Sequence, residues 1–183
     1  MQSLEIRRAR LDDARGVAVV HVRTWQSAYR GVIDDSVLDA LDIDDRAARW
    51  SNWIHASNAG EPTGGDANAP HTMLVAELDG QIVGWAAFGA GRDEGQSRSG
   101  ELAGLYVHPE HWSKRVGHAL IERVEAELQR EGFHDAYLWV LFGNERAVRF
   151  YEGHHWVADG NEKIDDAGGA HELREVRHRR TLR

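Results

Sequence analysis

The most informative segment of the chain is Leu105-Tyr-Val-His-Pro-Glu-His-Trp-Ser-Lys-Arg-Val-Gly-His-Ala-Leu120. It predicts a buried strand that stops at a proline, then a turn, then a helix that begins near Lys114. A helix start presents unpaired backbone N–H groups and the positive end of the helix dipole, and both attract phosphate. Because Lys114 and Arg115 add cationic side chains, the segment indicates a phosphate-bearing cofactor at the strand end. The alternative is an ordinary strand–loop–helix connection with a solvated charged cap, since short motifs also arise by chance.

Composition narrows the class of protein. With 183 residues, 42% hydrophobic and 28% charged, the chain is typical of one globular domain, which we expect to span residues 1–183. No apolar run approaches the roughly 20 residues that cross a bilayer, and the N-terminus lacks the apolar core of a secretory signal. The absence of cysteine excludes disulfides, thiolate nucleophiles and zinc–thiolate sites. We therefore expect a cytoplasmic location and no membrane partner.

Charge is unevenly distributed along the chain. The net charge of −8 argues against nucleic-acid binding, which needs a basic footprint. Residues 34–45 contain six Asp and neither Lys nor Arg, whereas five Arg follow His171. Both segments are typical of a solvated helix face and a solvated strand end. The acidic segment is also compatible with a lip that attracts a cationic substrate.

Apolar periodicity and turn residues predict one mixed, twisted sheet with helices on both faces, a fold of the α/β class with α+β character. The pair Asp79-Gly80 is a strong two-residue hairpin signal. Two polar segments, 57–70 and 89–100, are predicted to be flexible loops. Strands are predicted at 4–9, 73–78, 81–88, 101–108, 136–142, 154–158 and 172–181, and helices at 12–29, 34–41, 44–55, 114–130 and 144–152.

Three patches carry a resemblance to a known family. They are Glu101-Leu-Ala-Gly-Leu-Tyr-Val-His-Pro-Glu110, Trp112-Ser-Lys-Arg-Val-Gly-His-Ala-Leu120 and Leu138-Trp-Val-Leu-Phe-Gly-Asn-Glu-Arg-Ala-Val-Arg-Phe-Tyr-Glu-Gly153. With the order of elements, they resemble the fourth strand, the pyrophosphate loop, and the fifth strand with its following helix in the GCN5-related N-acetyltransferase (GNAT) superfamily. The segment 23–31 is also similar to the first helix of many bacterial, small-molecule members. The resemblance covers essentially the whole chain.

The resemblance implies an acyl-CoA N-acyltransferase fold with acetyl-CoA as co-substrate and no metal. The cofactor would lie where two neighbouring parallel strands separate, near His108 and Phe142. The main chain of Leu105, Tyr106 and Val107 would bind its acetyl and pantetheine groups, and one of those N–H groups would polarise the thioester carbonyl. The pyrophosphate would be wrapped by a loop that consists of Ser113, Lys114, Arg115, Val116, Gly117 and His118.

The loop departs from the family pattern, which is Gln or Arg, two residues, Gly, one residue, then Gly or Ala. Trp112 stands at the first position, Arg115 replaces the first Gly, and only Gly117 matches. Glycine allows close backbone approach and unusual φ angles, so Arg115 is expected either to narrow the cradle or to bind the pyrophosphate through its guanidinium group.

Asn144 and Tyr151 are two helical turns apart and therefore share one helix face, about 10 Å apart along the axis. The resemblance implies that Asn144 bonds the pantetheine arm and that Tyr151 is the general acid near the sulfur. The alternatives are a helix-capping Asn and a half-buried core Tyr. Full proton transfer from a phenol to a thiolate is uphill by about 2 kcal/mol in water, so Tyr151 is expected to share a strong hydrogen bond with the leaving sulfur.

Glu101 matches the position of the general base in several family members, and a surface strand Glu is the alternative. An ordinary Glu is a weak base toward an ammonium group, so it would need a raised pKa or a bridging water. His108, His111 and His118 are candidate bases by type. The spacing of His108 and His111 also allows a metal pair, but no third ligand is evident in the sequence.

The acceptor is predicted to be the primary amine of a small molecule, which attacks the thioester directly. Trp25 and Tyr29 in the first helix are predicted substrate-binding residues, together with Trp50 and Trp53, although such aromatics are often plain core. The alternatives are a protein lysine or N-terminal acetyltransferase and a non-catalytic acyl-CoA sensor. A homodimer is compatible with the family.

Overall fold

A computed structural model describes residues 3–63 and 69–182, which form a seven-stranded sheet in the order β1-β2-β3-β4-β5-β7-β6. Neighbouring strands are antiparallel except β4 and β5, which are parallel. The strands are β1 (Leu4–Arg8), β2 (His71–Leu78), β3 (Gln81–Ala90), β4 (Gly100–Val107), β5 (Asp135–Leu141), β6 (Val157–Ala167) and β7 (Ala170–Thr181).

Helices cover both faces of this sheet, and the predicted fold is confirmed. They are α1 (Ala14–Ala28), α2 (Asp35–Asp39), α3 (Ile43–Ala59), α4 (Val116–Arg130) and α5 (Glu145–Gly153). On one face, buried residues of α4 such as Leu120 and Val124 pack on Leu138 and Val140 of β5. On the other face, α1 and α3 pack on Met73, Val75, Trp85 and Ala87. Adjacent strand residues point to opposite faces, so each strand supplies both layers of core.

Capping side chains set where several helices begin. Asp34 accepts a hydrogen bond from Ser36 N, Asp42 accepts one from Asp45 N, and Asn144 accepts one from Ala147 N. Each bond satisfies a backbone N–H that has no partner inside its helix. None of the helices in the described ranges is long and apolar enough to cross a bilayer.

The boundaries of several elements differ from the predictions, and three of these differences bear on the loops and the site. Helix α3 continues to Ala59, so the predicted loop over 57–70 starts later, and its residues 64–68 lie outside the described part of the chain. Helix α4 starts at Val116 because Arg115 has a left-handed φ of 64°. The predicted strand over 154–158 is wrong at both ends, since β6 spans Val157–Ala167.

The long β6–β7 ribbon escaped prediction because β6 is almost fully exposed and has no apolar alternation. Cross-strand pairing holds it instead. Arg174 binds Glu162 at 2.8 Å, and Arg177 binds Asp159 at 2.7 Å. At the tip, the guanidinium of Arg46 on α3 donates to the carbonyl of Gly168 at 3.0 Å, so the ribbon folds back over α1 and α3.

The parallel strands β4 and β5 separate after two pairs, Gly100 with Ala136 and Glu101 with Tyr137. A bulge at residue 103 shifts the register of β4 against β3, so that Glu101 lies opposite Gly89 and Tyr106 lies opposite Trp85. Gly89 and Trp85 are four residues apart on one strand and share a face. The bulge therefore puts Glu101 and Tyr106 on the α1 face of the opening, although five residues separate them.

Candidate active site

A cleft of about 770 Å³ passes through the sheet where β4 and β5 separate. We call its two parts the loop half and the ribbon half. The loop half is bounded by residues 111–118 and α5, and the ribbon half by α1, β6 and β7. The sheet lies between them, so two ligands can approach one another from opposite faces.

Free backbone groups of β4 face this opening. His108 N donates to Val83 O at 2.9 Å, and in an antiparallel ladder the bonded residues alternate. Tyr106 is therefore bonded to β3, while Leu105 and Val107 direct their N–H and C=O groups toward β5. The carbonyl of Val107 already accepts bonds from Thr24 Oγ1 at 3.0 Å and Trp112 Nε1 at 2.7 Å.

The loop over 113–118 presents a run of unpaired amides. Ser113 and Arg115 have φ angles of 60° and 64°, and the first α4 bond runs from Ala119 N to Arg115 O. Within residues 3–63 and 69–182, none of the six N–H groups from 113 to 118 makes a backbone hydrogen bond of good distance and angle. Such turns and helix starts bind anions. Lys114 is exposed and does not line the cleft, whereas the other five loop residues do.

Asn144 and Tyr151 both line the loop half from α5. Asn144 Oδ1 accepts from Ala147 N at 3.2 Å, so the cap leaves its side-chain NH₂ group for a ligand. Tyr151 is buried, and no described group bonds its hydroxyl. Burial, with a smaller contribution from Tyr106, raises the pKa of Tyr151 well above that of a free phenol. The hydroxyl therefore remains a proton donor through the neutral range.

Glu101 is a buried, fully bonded carboxylate. Arg92 Nη2 donates to Oε1 at 2.7 Å, Arg92 Nε donates to Oε2 at 2.9 Å, and the Tyr137 hydroxyl donates to Oε2 at 3.3 Å. Burial alone would raise the pKa of Glu101, but the Arg92 contacts outweigh it and lower that pKa. The geometry therefore favours an anchoring ion pair over a free base at this position.

Trp25 and Tyr29 line the ribbon half, but Trp50 and Trp53 do not. Trp50 instead packs edge-on against Trp85, with ring centroids 4.6 Å apart, and Trp53 joins the same core cluster. Both tryptophans are partly buried against this cluster between α3 and the sheet, so they belong to the edge of the core and not to the cleft.

Sequence reasoning missed the charged residues that the ribbon brings to the cleft. The register places Lys163 opposite Glu175, and Lys163 Nζ lies 3.3 Å from Glu175 Oε2 and 2.9 Å from Asp165 Oδ2. Burial raises the pKa of Glu175. Trp139 and Asp166 complete this wall. Strand alternation in 170–181 marks which residues share a face, but only the register shows what they face.

The acidic segment does not form a lip on the cleft. Asp35 and Asp39 pair with Arg30 at 3.0 and 2.6 Å, and no Asp of residues 34–45 lines the cleft. These side chains are helix caps and exposed pairs, because each lies at a helix start or beside an arginine. In the described ranges, no three His, Asp or Glu side chains gather as a metal site.

Comparison with known proteins identifies relatives. Residues 24–156 match the model of the acetyltransferase (GNAT) family. The chain is 26% identical over 161 residues to YuaI, described as an uncharacterized N-acetyltransferase of Bacillus subtilis, with 87% of this chain and 84% of the relative covered. It is 28% identical over 151 residues to the L-amino acid N-acyltransferase MnaT of Escherichia coli, with 81% and 77% covered.

A solved structure has the same architecture. The PaiA N-acetyltransferase of Thermoplasma acidophilum, crystallised with coenzyme A, superposes with a TM-score of 0.72 at 20% identity, and the match covers 98% of this chain and 99% of that one. At this identity the likeness concerns the fold.

Proposed function

This chain belongs to the acetyltransferase (GNAT) family, and we propose that it transfers the acetyl group of acetyl-CoA to the primary amine of a small molecule. Membership makes it an acetyl-CoA-dependent N-acyltransferase. The observation that carries the proposal is the cleft between β4 and β5, which has free amides at one end and carboxylates at the other. A cytoplasmic location and a homodimer stay predictions.

The loop half suits acetyl-CoA as co-substrate. We expect the N–H groups of residues 113–118 to hold the diphosphate, since they make no backbone hydrogen bond of good geometry in the described chain. The free N–H groups of Leu105 and Val107 are then available to the pantetheine amides and the thioester carbonyl. The side-chain NH₂ group of Asn144 faces the same cleft.

The reaction forms a bond between the amine nitrogen and the acetyl carbon, breaks the C–S bond, and moves one proton from nitrogen and one to sulfur. Tyr151 is the proposed proton donor to sulfur. It lines the cleft, and its raised pKa keeps its proton in place. Since a phenol is a weaker acid than a thiol, its main contribution is a hydrogen bond to the departing sulfur.

The proton leaving nitrogen needs an acceptor in the ribbon half. We propose Glu175 for this role in place of Glu101. Burial raises the pKa of Glu175, which makes it the stronger base, whereas Arg92 lowers the pKa of Glu101. Glu175 also lies on the α1 face, where the acceptor amine would enter.

Replacing Glu175 with glutamine is expected to lower kcat/KM for an amine by about 10²-fold at neutral pH. The base must be unprotonated, so wild-type activity rises as pH rises through the pKa of Glu175, and the variant loses that limb. Steady-state rates from pH 5 to 9 measure this. Glu101→Gln is the matched comparison. Loss of the limb in Glu101→Gln, with Glu175→Gln unchanged, would assign the base to Glu101.

The ribbon half favours a cationic acceptor without a carboxylate. Four carboxylates, from Glu101, Asp165, Asp166 and Glu175, line it against two cations. Both cations are bonded to carboxylates, Arg92 to Glu101 and Lys163 to Glu175. Among the described residues, the ribbon half therefore has no unpaired Lys or Arg side chain that could bind a substrate carboxylate. The name of the relative MnaT, an L-amino acid N-acyltransferase, suggests a substrate with a carboxylate. The ribbon half of this chain does not favour such a substrate.

Cadaverine is expected to give a kcat/KM at least about 10-fold above that of L-lysine, which is the same diamine with an added carboxylate. Tyramine and L-tyrosine form a second matched pair. Thiol release from acetyl-CoA measures all four. If the amino acids react as fast as the matched amines or faster, the charge argument is contradicted, but the small-molecule function is not. Absence of thiol release with every small amine, together with turnover of peptides, would contradict the small-molecule function.

A further inference from the structure

Trp112 is held as a fixed platform at the mouth of the loop half. Its indole Nε1 donates to the carbonyl of Val107 at 2.7 Å, which ties the ring to the end of β4. The guanidinium carbon of Arg146, on α5, lies 4.0 Å from the centre of that ring. Arginine stacks well on aromatic faces, so the indole ring of Trp112 positions the exposed guanidinium of Arg146 at the cleft.

Arg146 has no anionic partner anywhere in residues 3–63 and 69–182. Its helix neighbour Arg149 provides a contrast, since Arg149 pairs with Glu145 at 3.1 Å and does not line the cleft. An unpaired guanidinium that is positioned by stacking and faces a cleft is suited to bind a phosphate group through two donors. Arg115 likewise has no ion-pair partner among the described residues, and it lines the same half.

We propose that Trp112 and Arg146 form an anion-binding clamp that holds a phosphate group of coenzyme A beside the amides of residues 113–118. The clamp rests on the proposed function. It explains how the loop works without its usual first Gly. Arg115 occupies that position with a left-handed φ, and the stacked Arg146 adds a cation from the opposite wall.

The test is calorimetric binding of coenzyme A, dephospho-coenzyme A and pantetheine to wild type, Arg146→Ala and Arg149→Ala. We expect Arg146→Ala to weaken coenzyme A binding by about 10-fold or more, as the loss of a charge-assisted contact should. Pantetheine affinity should not change, and Arg149→Ala should bind all three as wild type does. A loss confined to coenzyme A would assign the contact to the 3′-phosphate. An equal loss with dephospho-coenzyme A would assign it to the diphosphate.

Unchanged coenzyme A affinity in Arg146→Ala would overturn the clamp, and so would an equal loss with pantetheine. Melting temperatures without ligand check that each variant folds. Trp112→Phe keeps an aromatic face but loses the bond to Val107, so its affinity should fall between wild type and Arg146→Ala. If wild type fails to bind coenzyme A at all, the proposed function fails. If wild type binds it and Arg146→Ala does so equally, only the clamp fails.

Discussion

Tyr151→Phe is expected to lower kcat by about 10²-fold while acetyl-CoA affinity stays within about twofold of wild type. The variant keeps the ring, which packs in the core between α4, α5 and the sheet, and removes a hydroxyl that no described group bonds. The fold therefore loses no hydrogen bond. Steady-state kinetics and calorimetric affinity for acetyl-CoA measure the two quantities.

An acid role for Tyr151 makes a second expectation about the leaving group. A thioester of a more acidic thiol, such as an aromatic one, needs less help from a proton donor as the C–S bond breaks. The deficit of Tyr151→Phe should therefore shrink with that substrate. A kcat equal to wild type with acetyl-CoA would remove the acid role. A deficit that is equal for both thioesters would make Tyr151 a positioning residue.

Gly117→Glu is expected to weaken acetyl-CoA binding by more than about 100-fold. A side chain at Gly117 starts 3.3 Å from the ring of Phe150, and a glutamate there would put negative charge where the unpaired amides of α4 begin. The added carboxylate would lie in the first turn of α4, where negative charge stabilises a helix. Apart from the crowding against Phe150, we therefore expect the melting temperature of the unliganded variant to be no lower than that of wild type. Calorimetry and the melting shift with acetyl-CoA measure the effect.

Gly117→Gln separates charge from bulk, because it has nearly the shape of the glutamate. We expect it to bind more weakly than wild type but more tightly than Gly117→Glu. Gly117→Ala adds only the Cβ atom, so its loss should be smaller still. Retained affinity in Gly117→Glu would show that the diphosphate does not lie against residues 113–118, and the loop assignment would fall with it.

Local signals fixed much of the fold. The pair Asp79-Gly80 has φ angles of 50° and 82°, the geometry that its hairpin requires, and the turn residues alone predicted it. The strand, proline, turn and helix over residues 105–120 were likewise predictable, because apolar periodicity and cap chemistry act over a few residues. The start of α4 was placed two residues early because nothing in the sequence indicates that Arg115 adopts a left-handed φ.

The candidate site was only partly predictable. Loop and α5 residues such as Gly117 and Tyr151 lie in contiguous motifs, so a resemblance could carry them to the cleft. Trp50 shows the limit, since its helical position is equally compatible with a pocket wall and with the core, and packing against Trp85 decides between them.

The sequence alone determined the order of elements and the family, and it predicted that residues 113–118 bind an anion. The tertiary structure decided which charges meet. Arg92 pairs with Glu101, Lys163 with Glu175, and Arg146 stacks on Trp112. The pairing of Lys163 with Glu175 depends on the register of β6 against β7, and the position of Glu101 depends on the bulge in β4. A one-residue slip of a strand would turn its side chains, Lys163, Glu175 or Glu101 among them, to the other face, and no local preference in the chain fixes that choice.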